Sequence, residues 1–116
     1  MKIAIIGSSQ YKDKFIEHEA FLIRRGNEVK IPAFDEHKNF NELDVCEYNR
    51  SLIEWADEIH IIWDNRSVGV LFDFGMAFAL RKPCKVIYLE KKTFANVMKM
   101  YEMSIFNKPD GPDYRM

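Results

Sequence analysis

The chain has 116 residues, of which 47 % are hydrophobic and 30 % charged, enough for the core of one domain and too apolar for a disordered or fibrous protein. Seventeen Lys and Arg against 18 Asp and Glu give a formal charge of -1, and no basic run is longer than two residues, so a groove for a nucleic-acid polymer is not expected. The cysteines, Cys46 and Cys84, lack CxxC or Cys/His spacing, which fits reduced thiols in a cytoplasmic protein and implies neither zinc nor another metal.

KIAIIG, directly after Met1, is a continuous apolar run closed by glycine, as expected of a strand buried on both faces. It is too short for a signal-peptide core, and no later stretch is long and apolar enough to span a membrane, so a soluble protein is expected. KDKFIEHEAFLIRRG places Phe15, Ile16, Ala20, Leu22 and Ile23 at helical spacing before a Gly26 stop, and NEVKIP reads as a short strand ended by Pro32. FDEHKNFNE reads as a loop. From Leu43 to Trp55 a helix is expected with Val45, Asn49, Leu52 and Ala56 on one face, followed by the strand EIHIIW. Asp64-Asn65-Arg66-Ser67 offers caps for a very apolar helix, SVGVLFDFGMAFAL, which Lys82-Pro83 ends. CKVIYLE reads as a fourth buried strand, and a last helix is expected over Phe94 to Ile105, completing a domain over 1–106. The tail 107–116, rich in Pro and Gly, is expected to be poorly ordered unless a neighbour holds it.

Alternating strands and helices imply a three-layer α/β/α, flavodoxin-like (Rossmann-like) parallel sheet of four or five strands in the order 2-1-3-4. Ligands of such sheets bind beyond the carboxyl ends of the strands at the switch point, here between strands one and three. That places GSSQ (Gly7, Ser8, Ser9) and WDNRS (Asp64, Ser67) at the candidate site. A glycine and two hydroxyls before a helix suit a phosphate, while a plain capping role for the serines is the competing reading. In the apolar helix Gly69, Asp73 and Ala77 fall four apart, on one face, and the backward tilt of helical side chains aims Asp73 at the carboxyl edge of the sheet. A carboxylate among so many apolar residues is expensive unless a site uses it. The competing reading is a solvent-facing acid. Because this helix is apolar almost all round, self-association is expected. Trp55 and Trp63 could stack on a base, although packing explains both.

The order of strand, GS loop, helix, then N-x7-D (Asn49, Asp57) and S-x-G-V-x-F-D-x-G-x-A (Ser67 to Ala77), resembles the nucleoside 2-deoxyribosyltransferase superfamily, especially its 2'-deoxynucleoside 5'-phosphate N-hydrolase branch. The resemblance covers Lys2 to Leu89. It implies cleavage or transfer of an N-glycosidic bond without a cofactor. The helix carboxylate, here Asp73, attacks C1' or stabilises its oxocarbenium character. By the same resemblance Ser67 contacts the 5'-phosphate, Gly7 and Ser8 close over the nucleotide, and Tyr11 is the aromatic hydroxyl near the sugar. The chain departs from that pattern twice: Asp73 stands where the family has glutamate, and Asn49 where it has an aspartate that moves protons. An amide neither takes up nor releases a proton at neutral pH. Glu47, His60 and Asp64 are the nearby replacements in sequence. The alternative is a nucleotide-binding or sensing protein of the same fold that has lost the chemistry. A receiver domain shares the topology and has Asp64 after strand three, but lacks the acidic pair after strand one. A flavin protein is the remaining option.

Overall fold

The computed structural model describes residues 1–32, 39–89 and 94–106, without the side chains of 94–96. The tail expected to be poorly ordered, 107–116, and most of the loop after Pro32 lie outside the described residues. In chain order the elements are β1 (Lys2–Gly7), a 3-10 turn (Ser9–Tyr11), α1 (Lys12–Arg24), β2 (Glu28–Lys30), α2 (Glu42–Trp55), β3 (Glu58–Trp63), α3 (Val68–Ala79), β4 (Cys84–Leu89) and α4 (Phe94–Phe106). The strands form one parallel sheet, β2-β1-β3-β4, with helices on both faces, the architecture and order expected from the alternating pattern. Four strands, and no fifth, occur among the described residues.

Side chains of β1 and β3 alternate between two cores, as the pleat requires. Ile3, Ile5 and Ile62 meet Phe15 and Leu22 of α1 on one face. Ala4, Ile6, Ile59 and Ile61 meet Leu52, Ile53 and Ala56 of α2 and Val70 and Ala77 of α3 on the other. Trp55 and Trp63 pack against this second core, in the structural role expected of them, with the Lys30 ammonium 4.5 Å from the Trp55 ring centroid. Local chemistry fixes the ends. Gly26, at φ +87°, closes α1, and its N–H reaches the Ile23 carbonyl at 2.9 Å, a left-handed stop that glycine adopts without strain. Asn41 and Asp44 form a reciprocal capping box on α2, each side chain accepting from the other's backbone N–H.

Four expectations of burial fail, for one reason: apolar composition says what can be buried, and the neighbouring elements decide what is. Among the described residues CKVIYL is an edge strand paired with β3 alone, and Val86 is 60 % exposed on its face. A bulge opposite Ile61 and Ile62 shifts its register, and both Ile87 and Tyr88 end on the α1 side. On α1 only Phe15 and Leu22 are buried while Ile16 and Ile23 face solvent, since one sheet floor covers a narrow stripe of a helix. Val45 is exposed too, and the inner face of α2 runs through Tyr48, Leu52, Ile53 and Ala56. On α3 the buried stripe is Val70, Asp73 and Ala77; Gly69, one turn before Asp73 on the same side, lies in an open first turn, where among the described residues a Cβ would touch nothing within 4 Å. Met76 packs partly against the same core, and Leu71, Phe72, Phe74 and Phe78 are exposed. The last helix, α4, touches the rest of the described chain only marginally and presents Val97, Met98, Met100, Tyr101 and Met103 to solvent. Among the described residues no helix is long and apolar enough to cross a membrane.

Candidate active site

The loops after β1 and β3 lie side by side at the carboxyl edge of the sheet. Gly7 pairs with Ile62 in the parallel register, and the Arg66 guanidinium donates to Gln10 Oε1 at 3.0 Å across the two loops. Neither Gln10 nor Arg66 stands out in the sequence; only the adjacency of GSSQ and DNRS, which the strand order implies, could have paired them. Gly7 is required by packing alone. A Cβ there would lie 2.9 Å from Ile62 Cβ and its carbonyl oxygen, and 3.0 Å from the Phe15 ring. Ser8 Oγ accepts from the Gln10 N–H at 3.3 Å and Ser8 O from the Tyr11 N–H at 3.1 Å, so the capping role describes this serine. Ser9 is exposed at the start of the same turn.

After β3 the chain reverses through Asn65, whose φ of 64° is one that asparagine tolerates better than most residues. The reversal turns the N–H groups of Arg66 and Ser67 onto Asp64 Oδ1, at 3.0 and 2.8 Å. Asp64, 3 % exposed, is thus the anchor of the turn that launches α3, the capping role considered for it. This frees Ser67: it is the N-cap residue of α3, yet its half-buried hydroxyl makes no capping hydrogen bond.

Two turns further, Asp73 sits on the buried face of α3, 8 % exposed, where Asn49 Nδ2 of α2 donates to its Oδ2 at 3.2 Å. The solvent-facing reading of this acid is therefore excluded. Burial, only partly offset by the amide, pushes the Asp73 carboxyl up to about 6. It remains mostly ionised at neutral pH, a desolvated carboxylate with one neutral donor. Such a group can act as a nucleophile or stabilise a neighbouring cation, and Asn49 can orient it without exchanging protons.

The replacement proton donors do not converge on this pair. Glu47 is at the surface, ion-paired with Arg50, and Asp64 is held by backbone donors. His60 alternates onto the α1 face of the sheet, bonded to His18. The Tyr11 ring packs on that same side, 5.7 Å from Tyr88. The structure therefore joins Asp73 to Asn49, and Ser67 to Asp64, while Tyr11 belongs by its contacts to the opposite face.

No protein-family profile and no curated protein matches the chain. Among solved structures it is similar to the CMP N-glycosidase BcmB of Clostridium botulinum, with a TM-score of 0.59 and 19 % identity over 86 % of this chain and 82 % of that one. At this identity the likeness establishes a shared α/β fold.

Proposed function

We propose that the chain cleaves the N-glycosidic bond of a nucleoside 5'-monophosphate, as a nucleoside 2-deoxyribosyltransferase-like enzyme with Asp73 as the nucleophile. The observation that carries the reading is the Asp73–Asn49 pair: a carboxylate buried in the most apolar helix of the chain, at an energetic cost, and held by a single amide. The solved N-glycosidase supports it by fold, and its printed substrate, CMP, makes a nucleoside monophosphate the first class to try.

In this mechanism an Asp73 oxygen attacks C1', the C1'–N bond breaks, and its electron pair leaves with the base, which takes a proton from water. Water then hydrolyses the glycosyl ester, giving the sugar 5'-phosphate and restoring the carboxylate. Asn49 is a positioning residue that keeps one carboxylate oxygen oriented. The free Ser67 hydroxyl, the open first turn of α3 that includes Gly69, and the Arg66 guanidinium are the groups offered to a phosphate, since helix N-termini and cations favour anions. We further propose that the enzyme works as a dimer, because Leu71, Phe72, Phe74 and Phe78 leave one side of α3 apolar and uncovered.

The test is to incubate the protein with deoxynucleosides, ribonucleosides and their 5'-monophosphates, CMP included, and to measure free base chromatographically. Base release that Asp73→Asn abolishes supports the reading. Thermal stabilisation by a nucleotide without base release would favour the second reading, a nucleotide-binding protein, for which the missing proton donor at Asn49 is the specific observation.

A further inference from the structure

On the α1 face, away from Asp73, the structure holds a chain of three titratable side chains that the proposed chemistry does not use. Glu58 Oε2 lies 3.0 Å from His60 Nε2, and His60 Nδ1 lies 2.8 Å from His18 Nε2. Lys85 of β4 adds its ammonium 3.5 Å from the other Glu58 oxygen. His60 is 5 % exposed. His18 lies at the open end of the chain and lines a cavity of ≈ 400 Å³ between α1 and the β3–β4 edge.

The hydrogen bonds fix the tautomers. Its bond from His60, reinforced by Lys85 and opposed by burial, holds the Glu58 carboxyl below the usual carboxylate range, so it accepts and His60 Nε2–H donates. In neutral His60 the other ring nitrogen, Nδ1, is then an acceptor, and His18 Nε2–H donates to it. The remaining nitrogen, His18 Nδ1, is left with a lone pair. A proton arriving there can be passed along: His18 Nε2–H moves to His60 Nδ1, and the new charge rests between His60 and the Glu58 carboxylate. The N–N separation of 2.8 Å is a hydrogen-bond distance, and no metal-binding cluster of His, Cys, Asp or Glu occurs among the described residues.

The cavity around His18 has a definite chemistry. Ile62 and Ile87 give it apolar lining and Phe21 and Tyr88 aromatic lining, the Phe21 ring being stacked on His18 at 5.9 Å with the Arg25 guanidinium 4.4 Å from its centroid. Lys14 and Arg24 line it as well, and neither pairs with a carboxylate among the described residues; Lys14 instead lies 5.0 Å over the Tyr88 ring centroid. Glu17 is the only acid in the lining. We propose that this cavity is a second ligand site, taking an aromatic anion against its Phe21 and Tyr88 lining with its charge toward Lys14 and Arg24, and that the Glu58–His60–His18 chain couples its occupancy to uptake of one proton.

The coupling has a sign. Without ligand, burial first and then the neighbouring His60 push His18 below its ordinary value, with Glu17 pulling the other way. Burial thus favours the neutral form of His18 when no anion is beside it. An anion beside His18 favours the charged form, so binding and protonation help each other as the pH falls. The charged groups facing His18 are Lys14, Glu17 and Arg24 of α1 and His60 of β3, with Glu58 and Lys85 behind it.

The probe is 2-naphthoate, with 2-naphthyl phosphate as the arm that separates a carboxylate from a phosphate, titrated calorimetrically and followed by ring resonances of His18, Phe21 and Tyr88. Saturable binding is expected, tightening from about pH 8 to about pH 5.5 by at most tenfold per unit, the limit for one linked proton. Arg24→Ala should weaken it several-fold. His18→Gln keeps a donor for His60 but cannot be protonated, and should bind at high pH with the pH dependence gone. Excess deoxynucleoside 5'-monophosphate should not displace the probe, which makes the result independent of the glycosidase reading. Absence of saturable binding, affinity that is flat with pH, pH dependence that survives in His18→Gln, or displacement by the nucleotide would each overturn the proposal.

Discussion

Each face of the sheet carries a carboxylate, Asp73 buried on one and Glu58 half-buried on the other, and their carboxyl groups shift in opposite directions. On the α2–α3 face Asp73 has one neutral donor, and burial dominates, raising its carboxyl to about 6. On the α1 face Glu58 has His60 and Lys85, and these partners dominate, lowering it. The deeper burial of Asp73 and the charged and hydrogen-bonding partners of Glu58 together set the opposite directions. Glu58 is a settled structural anion. Asp73 is an anion the fold tolerates at a cost, which is the reason for proposing it as the reacting group.

Removing the Asp73 charge is the largest expected perturbation of this contrast. Asp73→Asn keeps the shape and can still accept from Asn49, but a neutral amide does not form a glycosyl ester. Base release should fall on the order of 10⁴-fold or more. Under the proposed mechanism the native protein's rate of base release should rise with pH through about 6, as Asp73 ionises, and then level off. A rate unaffected by Asp73→Asn would move the chemistry elsewhere.

The second perturbation compares what the two helix layers bury. Phe15 is fully buried under α1 whereas Phe78 on α3 is 73 % exposed. Phe15→Ala should cost about 3–5 kcal/mol in chemical denaturation, and Phe78→Ala close to nothing in the monomer. Equal costs would show that α3 is covered in solution.

The third sharpens the electrostatic contrast through stability. Raising a carboxyl from its ordinary 3.8 to about 6 means that the ionised form costs the folded state about 3 kcal/mol. A raised carboxyl favours folding in acid, an advantage complete below its unfolded value and lost as the pH rises through about 6. Asp73→Asn should therefore stabilise the protein by up to about 3 kcal/mol at neutral pH, and the gain should vanish below about pH 4. His18 has the opposite sign: its depressed value means that acid destabilises the fold. Urea unfolding across pH checks both, and a gain from Asp73→Asn that persists in acid would refute the electrostatic account.

How much of this was legible in the sequence follows the same physics. KIAIIG and EIHIIW read as central parallel strands because burial on both faces demands continuous apolar runs. CKVIYL carries the same signal but lies at an edge, and nothing in its own residues says which strands flank it. Asp73 was visible as an anomaly of composition and Asn49 as a candidate only through the resemblance, while the hydrogen bond between them was not legible, since a contact between two helices 24 residues apart leaves no local trace. The His18–His60 bond spans 42 residues and was invisible for that reason. The alternation along β3 does, however, place His60 on the opposite face from Ile59 and Ile61, which already separates it from Asp73.

The smallest expected effect tests whether the open side of α3 stays open. Glycine inside a helix costs up to about 1 kcal/mol relative to alanine, so it normally persists only where a side chain would collide. Gly69 and Gly75 meet no such obstacle among the described residues, where a Cβ at either would find nothing within 4 Å. In a monomer Gly75→Ala should therefore raise stability by about 0.5–1 kcal/mol. Gly75 sits among the exposed Phe72, Phe74 and Phe78, however, and a second copy packed on this face would bring its own backbone or side chains to the space the methyl group enters. For the proposed dimer the substitution should thus stabilise the dilute, monomeric protein and at the same time weaken association, read as a higher dissociation constant by light scattering. A gain in stability with unchanged association would place the dimer contact elsewhere, and a protein that stays monomeric at micromolar concentration would refute the dimer and leave α3 facing solvent.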